Sequence, residues 1–475
     1  DDSGTKIKDS AYKRLENQLE GMKKEYLLSV LANRGFLPGY GFPTNVVELI
    51  TNNKNEDRKK SRKSDWSNPD YPSRSLDVAI REYEPGKDVV LNGAVYRSAG
   101  LQLSWKIPKS EKEVSKLQSL SYIAHCECGY HTAHHDSVHS LPYNCPECTR
   151  KLKRMEYIVP AGFQVDYHAP LHNDYTQPEY AKFRTPLVTI DESDWQALGK
   201  IDYGRFRATQ SGNLFHYNNG RGAGFAFCWH CGRTHTIEAW SNQDGNLAIS
   251  DSERARITKV HRRLQGTNKQ GSANCPNEPW SMKAGQISRE TQEIITPLVL
   301  GFGTVTTMLE LQLRNPETNQ WISDKELGTS LATAMRFAFS EKEGIADSEL
   351  GISVQTRTSP EGQSATSIFI FDKASQGAGY ATQLAEKLPE VLAAAYDFAL
   401  NCTGKCDKAC HGCLLDFETQ HHLAYLNRHA IITFFDETRL IERLDVPEAR
   451  RFLGNDSQSE LLNAESLLSL KGPRA

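Results

Sequence analysis

The chain has 475 residues, length for roughly two to four domains and a sizeable core. Its 56 basic and 59 acidic residues nearly cancel, which excludes a global polyanion-binding surface and confines any nucleic-acid contact to local patches. No apolar run approaches the ~18 residues of a membrane span.

The chain starts Asp1-Asp2-Ser3-Gly4-Thr5-Lys6, polar and without a secretory signal or an initiating methionine. It reads as a fragment or as an internally numbered piece of a longer protein. The 11 cysteines fall mostly into clusters with ligand spacing. That pattern points to metal binding in a reducing cytoplasm rather than to a disulfide framework.

Residues 10–34 read as a helix. Tyr12, Leu15, Leu19, Met22, Tyr26 and Val30 form one apolar stripe, with Gly35 as the stop and Pro38 beyond it. Phe36 to Pro43 is a turn-rich aromatic segment suited to sealing a core or wedging against a neighbouring domain. Residues 52–75 are polar and include Arg58, Lys59, Lys60, Arg62 and Lys63. The first reading of that run is a solvated loop; the functional reading is a mobile phosphate contact. Leu76 to Trp105 alternates as strands do, with turn signals at Pro85-Gly86 and Asn92-Gly93, and predicts a compact β-element.

Two thiol pairs follow, Cys126/Cys128 and Cys145/Cys148, the layout of a zinc ribbon. The first pair has one intervening residue instead of two. His125, His131, His134 and His135 crowd it, so an imidazole in place of one thiol stays open. Residues 155–227 read as mainly β. A further set combines Cys228 and Cys231 with His261 and Cys275, the three-thiol, one-imidazole class of ligands. His230 and His235 are rivals for the imidazole. Arg254, Arg256, Lys259, Arg262 and Arg263 make the stretch around His261 basic, and Arg262 and Arg263 are candidate nucleic-acid contacts.

Beyond residue 300 the pattern becomes α/β. Gly303 to Leu313 and Ser367 to Asp372 read as strands, and Leu327 to Phe339 as a helix. The Gly377-Ala378-Gly379 turn then opens a second helix at Tyr380, which Pro389 kinks or splits in two. Such a turn can hold an anion on free N–H groups; the favoured reading is a tight strand–helix connection. The helix feeds Cys402, Cys406, Cys410 and Cys413, four thiols within twelve residues that can converge on one metal ion. The chain from residue 414 on reads as helical, then polar.

No phosphate-binding Gly-x4-Gly-Lys-Ser/Thr loop, Asp-Glu box, His-Glu-x2-His or Gly-x-Ser-x-Gly occurs in the sequence. Four ligands per set leave no open coordination position, so the sites are structural rather than catalytic. Asp372 with Glu386 is too thin a basis for a nuclease.

Several of these motifs resemble one family. Leu37 to Pro43 followed by Tyr83-Glu84-Pro85-Gly86 resembles the segment after the helicase core in MrfA-like DEAD/DEAH-box helicases of superfamily two. Phe371-Asp372 through Gly377-Ala378-Gly379-Tyr380, a long helix and then Cys402, Cys406, Cys410 and Cys413 is similar to the zinc-binding C-terminal domain of those proteins. Gln420-His421-His422 and Leu426-Asn427-Arg428 fit the same pattern.

The resemblance implies the accessory C-terminal region of an ATP-dependent DNA helicase or translocase, acting in repair or in anti-phage systems of the DISARM or Druantia kind. Its partners would be DNA, a helicase core in the same longer chain or a separate motor subunit, and other defence-complex subunits. ATP would belong to a motor absent from this chain. The alternative is a zinc-stapled interaction scaffold in a defence complex without direct DNA binding; an iron–sulfur protein is a further one.

The expected fold is α+β and multi-domain: β-rich zinc-ribbon modules, then an α/β domain with a four-cysteine zinc cluster, two or three zinc ions in all. The expected divisions are 1–75, a helical linker and basic loop; 76–165, a β-element with the ribbon; 166–300, a β-rich module with a second site; 301–430, the MrfA-like zinc-binding domain; and 431–475, the tail.

Overall fold

The computed structural model describes residues 45–51, 71–91, 93–102, 120–132, 135, 138–169, 185–190, 193–199, 203–228, 231–241, 247–249, 252, 261–264, 274–275, 294–374 and 376–444. The expected helix over 10–34, the aromatic turn at 36–43 and the basic run at 58–63 lie outside these residues.

A five-stranded sheet comes first. Its strands are β1 (Val46–Ile50), β2 (Ser73–Ser75), β3 (Asp88–Leu91), β4 (Ala94–Leu101) and, from further along the chain, Phe163–Val165, in the order β2-β1-(163–165)-β4-β3. Between β2 and β3 lies helix α1 (Leu76–Glu82), where the sequence pattern suggested strand. The reason is local. Leu76, Ala79, Ile80 and Tyr83 are buried at helical spacing, and Asp77 sits in the first turn, where a carboxylate suits the helix dipole.

The larger, eleven-stranded sheet contains β5 (Leu120–His125), β6 (Lys153–Ile158) and, after the 163–165 strand (β7), β8 (Leu187–Thr189), β9 (Gln196–Ala197), β10 (Gly204–Asn218), β11 (Phe225–Cys228) and β12 (Thr234–Thr236). A small hairpin of β13 (Ala239–Ser241) and β14 (Leu247–Ile249) stands apart from it. The organiser is β15 (Ile294–Asn315). Along its 22 residues it pairs in turn with β11, β6, β10 and two later strands, β16 (Gln320–Trp321) and β18 (Ser364–Asp372). β17 (Leu350–Thr358) completes the sheet beside β18. One strand thus runs through residue 300, where the sequence changes from β-rich to α/β.

On one face of β15, β17 and β18 lie α2 (Lys325–Glu343), α4 (Leu388–Leu400) and α5 (Arg428–Thr438), with α3 (Tyr380–Glu386) before α4 and the single turn α6 (Leu440–Arg443) closing the set. Leu309, Leu311, Leu331, Met335, Phe339, Ile370, Leu392 and Phe435 form their common core, which takes in Cys402 and Cys413. Residues alternate along these strands, so the opposite face carries Glu310, Gln312, Ser367, Ser353 and Arg357, all at most 3% exposed.

Burial of such groups is tolerated because they answer one another. Arg207 pairs with Glu310 at 2.7 Å. The Ser367 hydroxyl donates to Glu310 at 2.7 Å and accepts from Gln312 at 2.7 Å. The fold is therefore mixed α and β and rich in sheet, with cysteine clusters at its turns. No helix among the described residues is long and apolar enough to cross a membrane.

Candidate metal centres

Three sets of ligand atoms converge. In each of Cys126/Cys128/Cys145/Cys148, Cys228/Cys231/His261/Cys275 and Cys402/Cys406/Cys410/Cys413 the four candidate atoms lie within 4.8 Å of one another. None of the eleven cysteines is in a disulfide. Four sulfurs about 2.3 Å from one tetrahedral ion sit about 3.8 Å apart. The observed Sγ–Sγ separations are 3.6–3.8 Å in the 402–413 set, and 3.3 and 3.5 Å in the first. This donor chemistry and spacing fit a single soft ion per set.

The first centre hangs from the end of β5. The Cys126 N–H donates to Tyr130 O and the Gly129 N–H to Cys126 O, closing one knuckle. Cys145 receives the Thr149 N–H at 2.9 Å, with Thr149 at φ 61° closing the other. The shortened first pair therefore still brings both sulfurs inward. Among the described residues, no histidine of that crowd joins them. Burial and the nearby Arg357 hold the His131 imidazole neutral, down at about 3, and its Nδ1 lies 2.6 Å from the Thr189 hydroxyl. His135 Nδ1 meets the Ser140 hydroxyl at 3.2 Å. His134 lies outside the described residues. Burial opposes ionisation of Cys148, but the Arg150 guanidinium 3.4 Å from its sulfur helps lower that thiol to about 6.

The hairpin docks on the large sheet. Arg357 of β17, 3% exposed, donates to Glu147 at 2.9 Å and to Val188 O at 2.5 Å. Gly129 of the first knuckle sits so close that a Cβ there would meet Gln355 and Arg357 side-chain atoms at 2.8–2.9 Å.

The second centre starts at the end of β11, where the Gly232 N–H donates to Cys228 O at 2.8 Å. The Cys275 N–H donates to His261 O at 2.9 Å, so imidazole and thiol arrive as a bridged pair. Cys231 Sγ is 3.1 Å from His261 Nε2, and Cys228 Sγ 4.0 Å from Cys275 Sγ. His235, one rival, is on β12 and outside the cluster; His230, the other, lies outside the described residues. Burial opposes a proton on His261, but the adjacent thiols stabilise one and raise it to about 9, so a metal must displace that proton. Arg233 clamps the loop by donating to Arg262 O at 2.6 Å and to Asp166 at 2.8 Å.

The third centre is the most compact. Lys405 N–H donates to Cys402 O and Cys413 N–H to Cys410 O, each at 3.0 Å. A Cβ on Gly404 would press the Cys410 sulfur at 3.0 Å. Arg428, at the start of α5, donates to Cys406 O at 2.7 Å and to Ala399 O at 3.1 Å. Asn427 caps α5 by accepting the His429 N–H, while its own N–H reaches Ser330 on α2. The clasp thus ties α4, α5 and α2 together.

Upstream, the glycine turn holds an anion after all, but the chain's own. The Asp372 carboxylate accepts the N–H groups of Ala378, Gly379, Tyr380 and Ala381 at 2.6–3.1 Å, and the Thr307 hydroxyl. The favoured reading, a tight strand–helix connection, matches this. Gly377, at φ 74°, lies where a Cβ would meet Thr307 atoms at 2.6–2.8 Å.

Of the candidate nucleic-acid residues, Arg262 is exposed on the second centre's loop and Arg263 is half-buried. Arg58, Lys59, Lys60, Arg62 and Lys63 lie outside the described residues. Sequence reading placed Arg428 and Asp372 only within the family resemblance, without these roles, and did not find Arg233 or Arg357. The role of Asp372 had a local signal, an aspartate ahead of a glycine turn; Arg233 and Arg357 had none.

Residues 331–414 match the family model of the MrfA Zn-binding domain, a span from mid-α2 to just past Cys413. The chain is similar to Druantia protein DruE of Escherichia coli (strain UMEA 4076-1), with 26% identity over 424 residues, 86% of this chain and 22% of that protein. Among solved structures, the DUF1998 helicase MrfA bound to DNA overlaps 83% of this chain and 34% of its own at a TM-score of 0.37 and 10% identity. A second crystal structure of the DUF1998 helicase MrfA gives a TM-score of 0.28 and 8% identity over 82% of this chain and 34% of its own. The chain thus carries an MrfA-like zinc-binding region and spans about a fifth of its curated relative.

Proposed function

We propose that this chain is the zinc-stapled accessory region of an ATP-dependent DNA helicase or translocase in anti-phage defence or repair. It contacts DNA while a motor outside these residues hydrolyses ATP. The observation that carries the reading is the closed four-thiolate clasp at Cys402–Cys413 inside the MrfA-type zinc-binding match. In this reading Cys402, Cys406, Cys410 and Cys413 hold one zinc, Cys126, Cys128, Cys145 and Cys148 a second, and Cys228, Cys231, His261 and Cys275 a third. Four protein donors saturate each ion, so zinc supplies rigidity and no reaction. The arginines at 262 and 263 and the run at 58–63 take phosphates.

Elemental analysis of the purified chain tests the metal half: three zinc per chain is expected, and iron or a single zinc overturns it. Binding to labelled single- and double-stranded DNA across a salt series tests the other half. Affinity falling with salt is expected; no binding at low salt overturns direct DNA contact.

A protein-docking scaffold is the second reading. Phe417, Leu423 and Tyr425, 77%, 54% and 41% exposed just after the clasp, favour it.

A further inference from the structure

The most concentrated positive charge among the described residues lies on the first metal hairpin, in Arg150-Lys151-Leu152-Lys153-Arg154. Leu152 turns inward, 4% exposed, and its N–H pairs with Tyr143 O at 3.0 Å. The four cations point outward. Glu127 answers two of them, Lys153 at 2.8 Å and Arg150 at 3.5 Å. Glu147, a second carboxylate among the described residues of the hairpin, is turned away onto Arg357. No carboxylate among the described residues pairs with Lys151 or Arg154. Both instead lie over the ring of Tyr143, with Lys151 Nζ 5.1 Å and Arg154 Cζ 5.9 Å from its centroid.

Tyr143 is 60% exposed, yet it is not on a loose loop. The Asn144–Lys151 bridge and the Cys145 knuckle fix its backbone, and the Arg357–Glu147 pair fixes the hairpin on the sheet. A 60% exposed ring, rigidly presented, whose two overlying cations have no carboxylate partner among the described residues, offers a stacking platform once a base displaces those long side chains toward its phosphates. A base laid on the ring gains dispersion energy, and the phosphates on either side meet the cations. Stacking needs an unpaired base face, which a duplex does not offer at its surface.

We propose that Tyr143, Lys151 and Arg154 form a single-stranded-DNA contact on the first zinc hairpin, reading no sequence. This rests on the proposed function and adds to it the strand state and the contact surface.

The test uses the whole chain, fluorescence anisotropy with labelled oligothymidylate, and a duplex of equal length. Tyr143→Ala is expected to weaken single-strand binding about fivefold to a hundredfold and to leave the duplex within twofold. Tyr143→Phe is expected to keep the affinity. Lys151→Glu with Arg154→Glu is expected to lower the single-strand salt slope by about 1.4, roughly 0.7 per lost phosphate contact. Unchanged zinc content in every variant certifies the fold. If wild type binds single strands and these variants bind equally well, the platform is wrong while the DNA-binding reading stands. Loss on charge reversal but none in Tyr143→Ala overturns stacking. If wild type binds no DNA at low salt, both fall.

Discussion

The clasp at Cys402–Cys413 and the centre at Cys228–Cys275 have similar ligand geometry and opposite relations to the fold. In the clasp all four donors come from one stretch of twelve residues, and Cys402 and Cys413 belong to the main core beside Leu392, Leu414 and Phe435. The other centre gathers donors across 48 residues and has its own small cluster of Ala223, Ala226, Cys228, Ile237 and Cys275. Closing 48 residues costs only about 1 kcal/mol more than closing 12, so loop entropy does not separate the two centres; their place in the core does. Loss of metal is therefore expected to spread from the clasp and to stay local at the second centre.

The sharpest way to break that contrast is a pair of serine variants. Cys413→Ser and Cys275→Ser should each cost one zinc by elemental analysis. Cys413→Ser should also abolish the cooperative thermal transition of the helical face, because structural zinc is worth roughly 10 kcal/mol or more to a small domain. Cys275→Ser should leave that transition within a few degrees. Equal melting curves would end the distinction.

A smaller effect separates the two outer clamps. Arg428→Leu strands two carbonyls, on Ala399 and Cys406, in the main core, and should cost about 3 kcal/mol in urea unfolding. Arg233→Leu strands Arg262 O and Asp166, but Arg262 is exposed and Asp166 half-buried, so water can replace the lost partners and the cost should be about half as much. The reverse order would mean that the second centre is the better integrated one.

Legibility follows the same divide. The clasp could be read outright because its donors are neighbours in sequence, and the strand–turn–helix ahead of it because Asp372, Gly377 and Pro389 are local signals. The set with His261 was legible as a ligand class, but three histidines competed for one place, and it is the fold that separates His261, 3.1 Å from Cys231 Sγ and bridged to Cys275, from His235 on β12. The residues that hold these centres in the fold were not legible. Arg357 reaches Glu147 across 210 residues, a pairing that no local pattern encodes. α1 was misread for a different reason: its seven residues were averaged into a longer window dominated by β3 and β4.

The smallest expected effect concerns the first centre, which stands between the other two. Its hairpin is local, but its Cys148 sulfur is half-buried and faces Arg150. With the guanidinium in place the thiol is held down at about 6, so on acidification protons compete poorly with the metal until the pH falls past that point. Removing the cation lets the thiol rise toward its ordinary value, so protons win at a higher pH. Arg150→Ala should therefore shift the acid release of one zinc, followed with a colorimetric chelator, upward by less than about one pH unit. Release from the other two centres should stay where it is in wild type. A downward shift, or one shared by all three centres, would mean that Arg150 does not act on Cys148 as the 3.4 Å contact implies.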